Sequence, residues 1–411
     1  MMKISMCMSR KSYAAFVLII INVLSLSSQT GDRDSIRESM NMDAVYDRPF
    51  LTFDKFPVNL GGYLEANSIY SIEDGLSEGL SFQARRMTLF VSASISKRIK
   101  FLTELEFENG TEEIAIEFAS MDIALHPLLN LRGGIVLNPI GSFNQNHDGP
   151  KWEFVERPDV STNLLPATFS NAGFGIFGKA YRGAWTLGYE AYLTNGFDTS
   201  IIDNEEERTF LASVKENSSR FEENFSGNAL LNGKFAIKHR KLGELGISYM
   251  GGAYNRKEVD GLQVDTKSRR VDVLALDLNT AIKKTGTRFI GEMAYIWVDV
   301  PDTFTQQFGN RQVGFFVDIV QPVLRTEVLD WEDAVLNLSL RTDYVDYNIG
   351  RFAQTNTNIG DDLFAITPAI SFRPAPQTVL RINYRYQWQQ DILNNLASRT
   401  ATWYFGFSTY F

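Results

Sequence analysis

The stretch TATWYFGFSTYF, residues 400–411, decides how the chain is read. Ala401, Trp403, Phe405, Phe407, Thr409 and Phe411 fall on one face of an extended strand. Thr402, Tyr404, Gly406, Ser408 and Tyr410 fall on the other, because successive side chains of a strand point to opposite faces. The first face is aromatic and apolar, and the second is mostly small or hydroxylated. A strand this aromatic at the edge of a soluble sheet would invite aggregation. It makes sense if the apolar face meets lipid and the strand pairs with another to close a barrel.

Working back from that stretch, the chain from Val58 onward divides into about sixteen candidate strands, each long enough to cross a membrane at a tilt. They start near Val58, Phe82, Arg98, Glu112, Leu128, Asn171, Ala184 and Asn228, then near Leu242, Arg270, Gly286, Arg311, Asp333, Asp361, Thr378 and Thr400. The connections alternate in length. The short set is Ser96-Lys97, His126-Pro127, Arg182-Gly183, His239 to Lys241, Lys283 to Thr285 and Arg373 to Gln377. Arg325 to Glu332 forms a slightly longer member. The other set is mostly long: Pro139 to Ser170, Asn195 to Gly227, Asn255 to Arg269, Pro301 to Asn310, Asn348 to Gly360 and Gln390 to Arg399. Short turns at one end and long loops at the other are the habit of outer-membrane barrels. The fold expected is therefore all-β: a transmembrane antiparallel β-barrel. An even strand count places both termini at the periplasmic end.

Composition agrees. The 411 residues are 44% hydrophobic and 13% aromatic, yet mean hydropathy is only −0.16. That suits aromatic girdles around a polar lumen. Residues 1–28 have the form of a secretory signal: Lys3, Arg10 and Lys11, then the apolar run FVLIIINVLSL, then Ser27 and Ser28. Removing it takes the formal charge from −9 to −12, since three positive charges leave with it. An acidic chain argues against a nucleic-acid partner. The single cysteine, Cys7, leaves too, so no disulfide framework or thiolate chemistry is expected. Residues 29–57 are polar and aperiodic, and read as a periplasmic lead-in, with a short plug as the other reading. Residues 58–411 are the barrel.

Several strands show which face is which. Leu380, Ile382, Tyr384, Tyr386 and Trp388 alternate with Arg381, Asn383, Arg385, Gln387 and Gln389. Leu336, Leu338, Leu340 and Tyr344 alternate with Asn337, Ser339, Arg341 and Asp343. Met87, Leu89, Val91, Ala93 and Ile95 oppose Arg86, Thr88, Ser92 and Ser94, and Phe101, Leu105 and Phe107 oppose Glu104 and Glu106. A charge at the lipid midplane costs about 2–4 kcal/mol, so the charged faces must turn inward. Val271 to Ile282 mixes its faces. The expected pore-lining residues are Arg86, Arg132, Arg341, Arg381 and Arg385 against Glu104, Glu106 and Glu117. The loop from Pro139 adds Lys151, Glu153, Glu156 and Arg157. Opposed wall charges of this kind orient permeating solutes; wall charges that only pair with one another would rigidify the barrel instead. His147 and Asp148 hint at a metal, but with no second ligand cluster no metal site and no cofactor is expected. With three histidines, all in connections, no hydrolytic triad is assembled either.

Two resemblances add to this reading. Residues 400–411, with alternate apolar positions and Phe411, resemble the C-terminal strand by which bacterial outer-membrane barrels are taken up by the barrel-assembly machinery. The segments FQARRMTLFVSASISKRIKFLTELEFE, LLNLRGGIVLNPIG, WEFVERPDVSTNLLP, GFGIFGK and LTNGF, between Phe82 and Phe197, resemble the phosphate-selective porin O/P family. That resemblance implies a sixteen-stranded channel, often a homotrimer, whose third external loop (here 139–170) folds inward. The function expected is passive diffusion of small hydrophilic solutes, anions included, through an outer membrane of lipid and lipopolysaccharide. The alternatives are a substrate-specific transporter or a barrel enzyme.

Overall fold

The structure, a computed structural model, describes residues 39–51, 57–110, 112–206, 208–213, 217, 219–301, 304, 309–352 and 355–411. The expected signal segment 1–28 lies outside these residues, as do 29–38 and 52–56 of the expected lead-in.

The described residues form eighteen strands. In order they are β1 (Val58–Glu73), β2 (Leu76–Ser94), β3 (Ile99–Glu108), β4 (Glu113–His126), β5 (Leu129–Leu137), β6 (Ser170–Arg182), β7 (Trp185–Thr194), β8 (Leu230–His239) and β9 (Gly243–Ala253). A small hairpin follows, β10 (Glu258–Val259) with β11 (Leu262–Gln263). The rest are β12 (Arg270–Ile282), β13 (Thr287–Val298), β14 (Arg311–Val328), β15 (Trp331–Ile349), β16 (Asp362–Ala375), β17 (Thr378–Gln389) and β18 (Ser398–Tyr410). All but the hairpin close into one sixteen-stranded antiparallel barrel, each strand beside its neighbour in sequence, with β1 joined to β18.

The expected strands are the observed ones. The largest displacement is β2, expected near Phe82 and beginning at Leu76. Asp74 and Gly75, at φ 46° and 88°, make the two-residue turn that lets β1 and β2 run on as a hairpin. The link expected from Arg325 to Glu332 shrinks to Leu329-Asp330, since β14 and β15 continue into it. Connections at one end are then all short (95–98, 127–128, 183–184, 240–242, 283–286, 329–330, 376–377), and the long ones all lie at the other.

The barrel closes as the terminal stretch requires. Tyr63 pairs with Tyr410 and Glu73 with Thr400. The amide of Phe411 donates to the carbonyl of Gly62 at 3.0 Å. The Phe411 ring lies over Gly62, where a Cβ would come within 2.5 Å of it. Trp403, Phe405 and Phe407 are exposed on the outer face, whereas Thr402 and Ser408 are buried on the inner one. The same division holds for Leu338 and Leu340 against Asn337, Ser339 and Arg341.

The lumen departs from expectation in two ways. One sector of the inner wall is apolar: Val271, Val273 and Ala275 of β12, Ala294 and Ile296 of β13, Phe316 of β14, Val345 of β15, and Leu363 and Ala365 of β16. These positions face protein. Ile140, Phe143, Leu164, Leu165 and Phe169 from 138–169 pack on them, with Phe197, Ile201, Ile202 and Leu211 from 195–229. This explains why β12 mixes its faces, being apolar on both. Secondly, residues 39–51 lie inside the barrel, as the plug reading has it and the lead-in reading does not. Met40, Met42 and Val45 pack against inward side chains of the wall, and Arg48 is buried.

Candidate functional site

The segment 138–169 leaves β5, turns into the barrel and returns to β6. Its first bend is held by Glu292 of β13, which accepts from the amides of Ser142 (2.6 Å) and Phe143 (2.9 Å) and from the Ser161 hydroxyl (2.8 Å). Lys234 of β8 donates to the Gly141 carbonyl at 2.6 Å and pairs with Asp277 at 2.7 Å.

The middle of the segment crosses to the opposite wall. Arg381 of β17 donates through Nη1 to the carbonyls of Phe154 (2.7 Å) and Gly149 (3.2 Å), and through Nη2 to Glu65 (2.7 Å). Asn383 accepts from the Val155 amide at 2.6 Å. Arg341 of β15 grips Asp318 with two bonds of 2.7 Å, donates to the Glu156 carbonyl at 2.7 Å, and lies 4.3 Å over the Phe154 ring. Glu153 accepts from Arg288 (2.5 Å), Arg373 (2.9 Å) and Ser371 (2.5 Å). Burial alone would raise the Glu153 carboxyl, but Arg373 and Arg288 outweigh it and hold the group below its ordinary range.

Two cavities flank this crossing. The first, about 650 Å³, opens toward the short turns. Lys151, Glu153, Arg288, Arg325, Asp333 and Arg373 supply its charges, with Trp152 and Tyr410 beside them. The second, about 360 Å³, lies toward the long loops, and its charges are Arg85, Arg86, Arg157, Arg385, Glu108, Glu156 and Asp159. Phe154 and Val155 are buried between the two. Formal charge is therefore positive in each: four cations to two anions in the first, four to three in the second.

The twelve residues expected to line a pore divide evenly. Lys151 and Glu153 line the first cavity, and Arg86, Glu156, Arg157 and Arg385 the second. Glu104, Glu106, Glu117, Arg132, Arg341 and Arg381 line neither. For five of these the cause is pairing. Arg132, for example, spends its guanidinium on Asp122 (2.8 and 2.9 Å) and Tyr192 (3.0 Å), and lies over the rings of Tyr46 and Phe177. Glu106 accepts from Tyr63 (3.0 Å) and Thr88 (3.2 Å). Glu117 is simply buried in the wall.

Residues 39–51 are seated by Arg48. Its Nε donates to Asp148 Oδ2 at 2.9 Å, Nη2 to Asp148 Oδ1 at 2.5 Å, and Nη1 meets Glu104 at 2.7 Å. His147 Nε2 is 3.3 Å from Nη2, and the Phe90 ring lies 4.0 Å beneath the guanidinium. Tyr410 donates to Asp148 at 2.6 Å, and Lys151 stands 3.4 Å from it. Burial raises the Asp148 carboxyl, but Arg48, Lys151 and His147 overcome this and hold it far below its ordinary range. Further along, the Asn41 amide donates to both oxygens of Glu244 (3.1 and 3.0 Å), Lys151 to the Ala44 carbonyl (3.1 Å), and Lys179 pairs with Asp43.

Glu104, His147 and Asp148 are close enough to share one metal ion. No metal site was expected because His147 had no second ligand cluster in sequence; β3 brings Glu104 to it. Arg48 reaches all three of these side chains.

Sequence reasoning missed Arg48, Glu65, Arg288, Glu292 and Arg373. Arg288 and Glu292 share the inner face of β13 with Ile290, Ala294 and Ile296, an alternation open to inspection. Arg48 sits in an aperiodic segment and gave no such sign.

No protein-family model matches the chain. An uncharacterized protein of Aquifex aeolicus (strain VF5) is 26% identical over 372 residues, spanning 85% of this chain and 80% of that protein. Among solved structures, Salmonella typhi OmpF in complex with daunomycin matches with a TM-score of 0.56 and 10% identity, over 88% of this chain and all of that one. An anion-selective porin from Comamonas acidovorans matches at 0.53 and 12%, over 86% and 99%. The trimer form of Vibrio cholerae OmpT matches at 0.51 and 9%, over 86% and 99%. At these identities the likeness is one of fold.

Proposed function

We propose that this barrel is an outer-membrane porin that passes small hydrophilic solutes by passive diffusion, anions more readily than cations, and catalyses no reaction. The observation that carries the reading is the pair of cavities on either side of the inward segment, each with more cations than anions along its wall. Fixed charge of one sign at a narrowing raises the local concentration of the opposite ion. The likeness in fold to OmpF and to an anion-selective porin supports it. So does the apolar belt outside a charged interior.

The rest of the setting belongs to the same proposal. The signal segment 1–28 is removed, both termini are periplasmic, and lipid and lipopolysaccharide surround the barrel. The strand ending at Phe411 is the mark read by the barrel-assembly machinery. A homotrimer is in keeping with the trimer form of the OmpT structure. Kinship with the phosphate-selective porin O/P family rests on Phe82 to Phe197 alone, and phosphate selectivity is left out of the proposal because acidic side chains are interleaved with the arginines.

The test is a planar bilayer with a KCl gradient across the reconstituted mature chain. Stepwise openings with a reversal potential of the sign that chloride flux requires are expected. A silent bilayer, with folding verified by heat-modifiable gel mobility, favours the second reading: a substrate-specific transporter. That reading draws on one observation, the filling of the lumen by 138–169, 195–229 and 39–51.

A further inference from the structure

The surroundings of Arg48 have the chemistry of a receptor. The groups that hold the guanidinium belong to the barrel or to its inward segment: Phe90 on β2, Glu104 on β3, Phe118 on β4, His147 and Asp148 on 138–169. The guanidinium comes from a different piece of chain, the one that precedes β1. Its side chain and those of Glu104 and Asp148 are fully buried. The geometry is specific to a planar cation. Asp148 takes Nε and Nη2 as a two-pronged fork, Glu104 forms an ion pair with Nη1, and the guanidinium carbon lies 4.0 Å over the Phe90 ring. An ammonium group offers no such fork and stacks on no ring face in this way.

We propose that this cage is a binding site for a guanidinium group, and that residues 39–51 are its tethered occupant. Tethered Arg48 is kept out of the cage only by a ligand that outcompetes it. A guanidinium-bearing solute therefore displaces Arg48 and unseats 39–51. A tethered group acts at an effective concentration on the order of millimolar, so a competing solute must exceed that scale or bind more tightly than the bare headgroup. Removing Arg48 leaves Glu104 and Asp148 with Lys151 as their remaining cation nearby, at 3.4 Å from Asp148. An empty cage is acidic and desolvated, and it draws in whichever cation fits its fork.

The experiment is calorimetric titration of methylguanidinium into the folded mature chain in detergent, wild type against Arg48→Ala. It reads binding and needs no open channel, so its failure is distinct from failure of the porin reading. Saturable binding to Arg48→Ala, at least tenfold tighter than to wild type, is expected. Methylammonium should bind that variant at least tenfold more weakly than methylguanidinium. Phe90→Leu in the Arg48→Ala background should weaken methylguanidinium several-fold and leave methylammonium nearly unchanged. If Arg48→Ala does not fold, Arg48→Gln keeps a polar side chain in place and serves for the same titrations. Equal affinity of wild type and variant for methylguanidinium, or no preference over methylammonium, overturns the proposal. So does tighter binding of Zn²⁺ than of methylguanidinium to the variant, which would make Glu104, His147 and Asp148 a metal site that the arginine covers.

Discussion

Two pieces of chain enter the barrel, both held by polar contacts to the wall, and they differ in how much apolar surface they bury. Residues 138–169 are tied at both ends to strands and bury Ile140, Phe143, Leu164, Leu165 and Phe169 in the largest apolar cluster of the molecule. Residues 39–51 lead into β1 and make two smaller apolar contacts, Val45, Tyr46 and Phe50 with Leu102, Phe118, Ile135 and Leu137, and Met40 and Met42 with Ala236 and Phe177. Their hold is mostly polar: Arg48, Asn41, Asp43 and the carbonyl of Ala44. Apolar burial carries no charge to titrate or screen, whereas ion pairs respond to pH and ionic strength. The first piece is thereby part of the wall, and the second is a guest of it.

The largest effect should come from loosening the wall-like piece. Glu292→Ala strips three buried donors of their acceptor, at about 1–3 kcal/mol for each group left unpaired. Urea unfolding should show a loss of several kcal/mol, and single channels should become noisier and wider. Glu153→Gln comes next. It frees Arg288 and Arg373 in the larger cavity and should shift the reversal potential further toward anions, with a stability cost of about 1–3 kcal/mol because Arg288 remains partly solvated.

Acid sharpens the comparison from the other side. The Asp148 carboxyl, lowered by Arg48, Lys151 and His147, contributes stability that is complete above its ordinary value near 3.8 and lost only as pH falls through its depressed value. The groups facing it are Arg48, Lys151, His147, Tyr410 and Glu104. Residues 39–51 should thus stay protected from protease from neutral pH down to about pH 4, the ordinary carboxylate range. Release within that interval would contradict the pairing. The smallest effect belongs to the rim pair of Arg85 with Glu156, each nearly a third exposed. Glu156→Gln should change stability by less than about 1 kcal/mol, and its trace should be a small shift in selectivity.

The barrel itself was legible because lipid punishes errors of face. The alternation in 400–411, 380–389 and 336–344 had one physical reading, and the structure puts Leu380, Ile382 and Leu338 outside and Arg381, Asn383 and Asn337 inside. The start of β2 was placed at Phe82 and not Leu76, although Asp74-Gly75 is a hairpin signal that sequence carries plainly. The interior was half legible. Alternation says that Arg132 and Arg341 point inward, but whether water or Asp122 and Asp318 will meet them depends on hairpin register, since each aspartate lies directly across from its arginine on the neighbouring strand. The placement of Arg48 is different: it depends on Phe90, Glu104, His147 and Asp148, all distant from it in sequence, and nothing local encodes it.

The seam between β1 and β18 carries a consequence for assembly. The strand that follows residues 39–51 is the one left waiting until the sixteenth wall strand arrives. Whatever lies within is enclosed at that moment, since Phe411 settles over Gly62 only when the ring is complete. The charged occupant has therefore to be in place before or during closure, or else enter afterwards from the end where the short turns lie. Order of arrival, and not affinity alone, decides whether a newly made barrel starts life sealed or vacant.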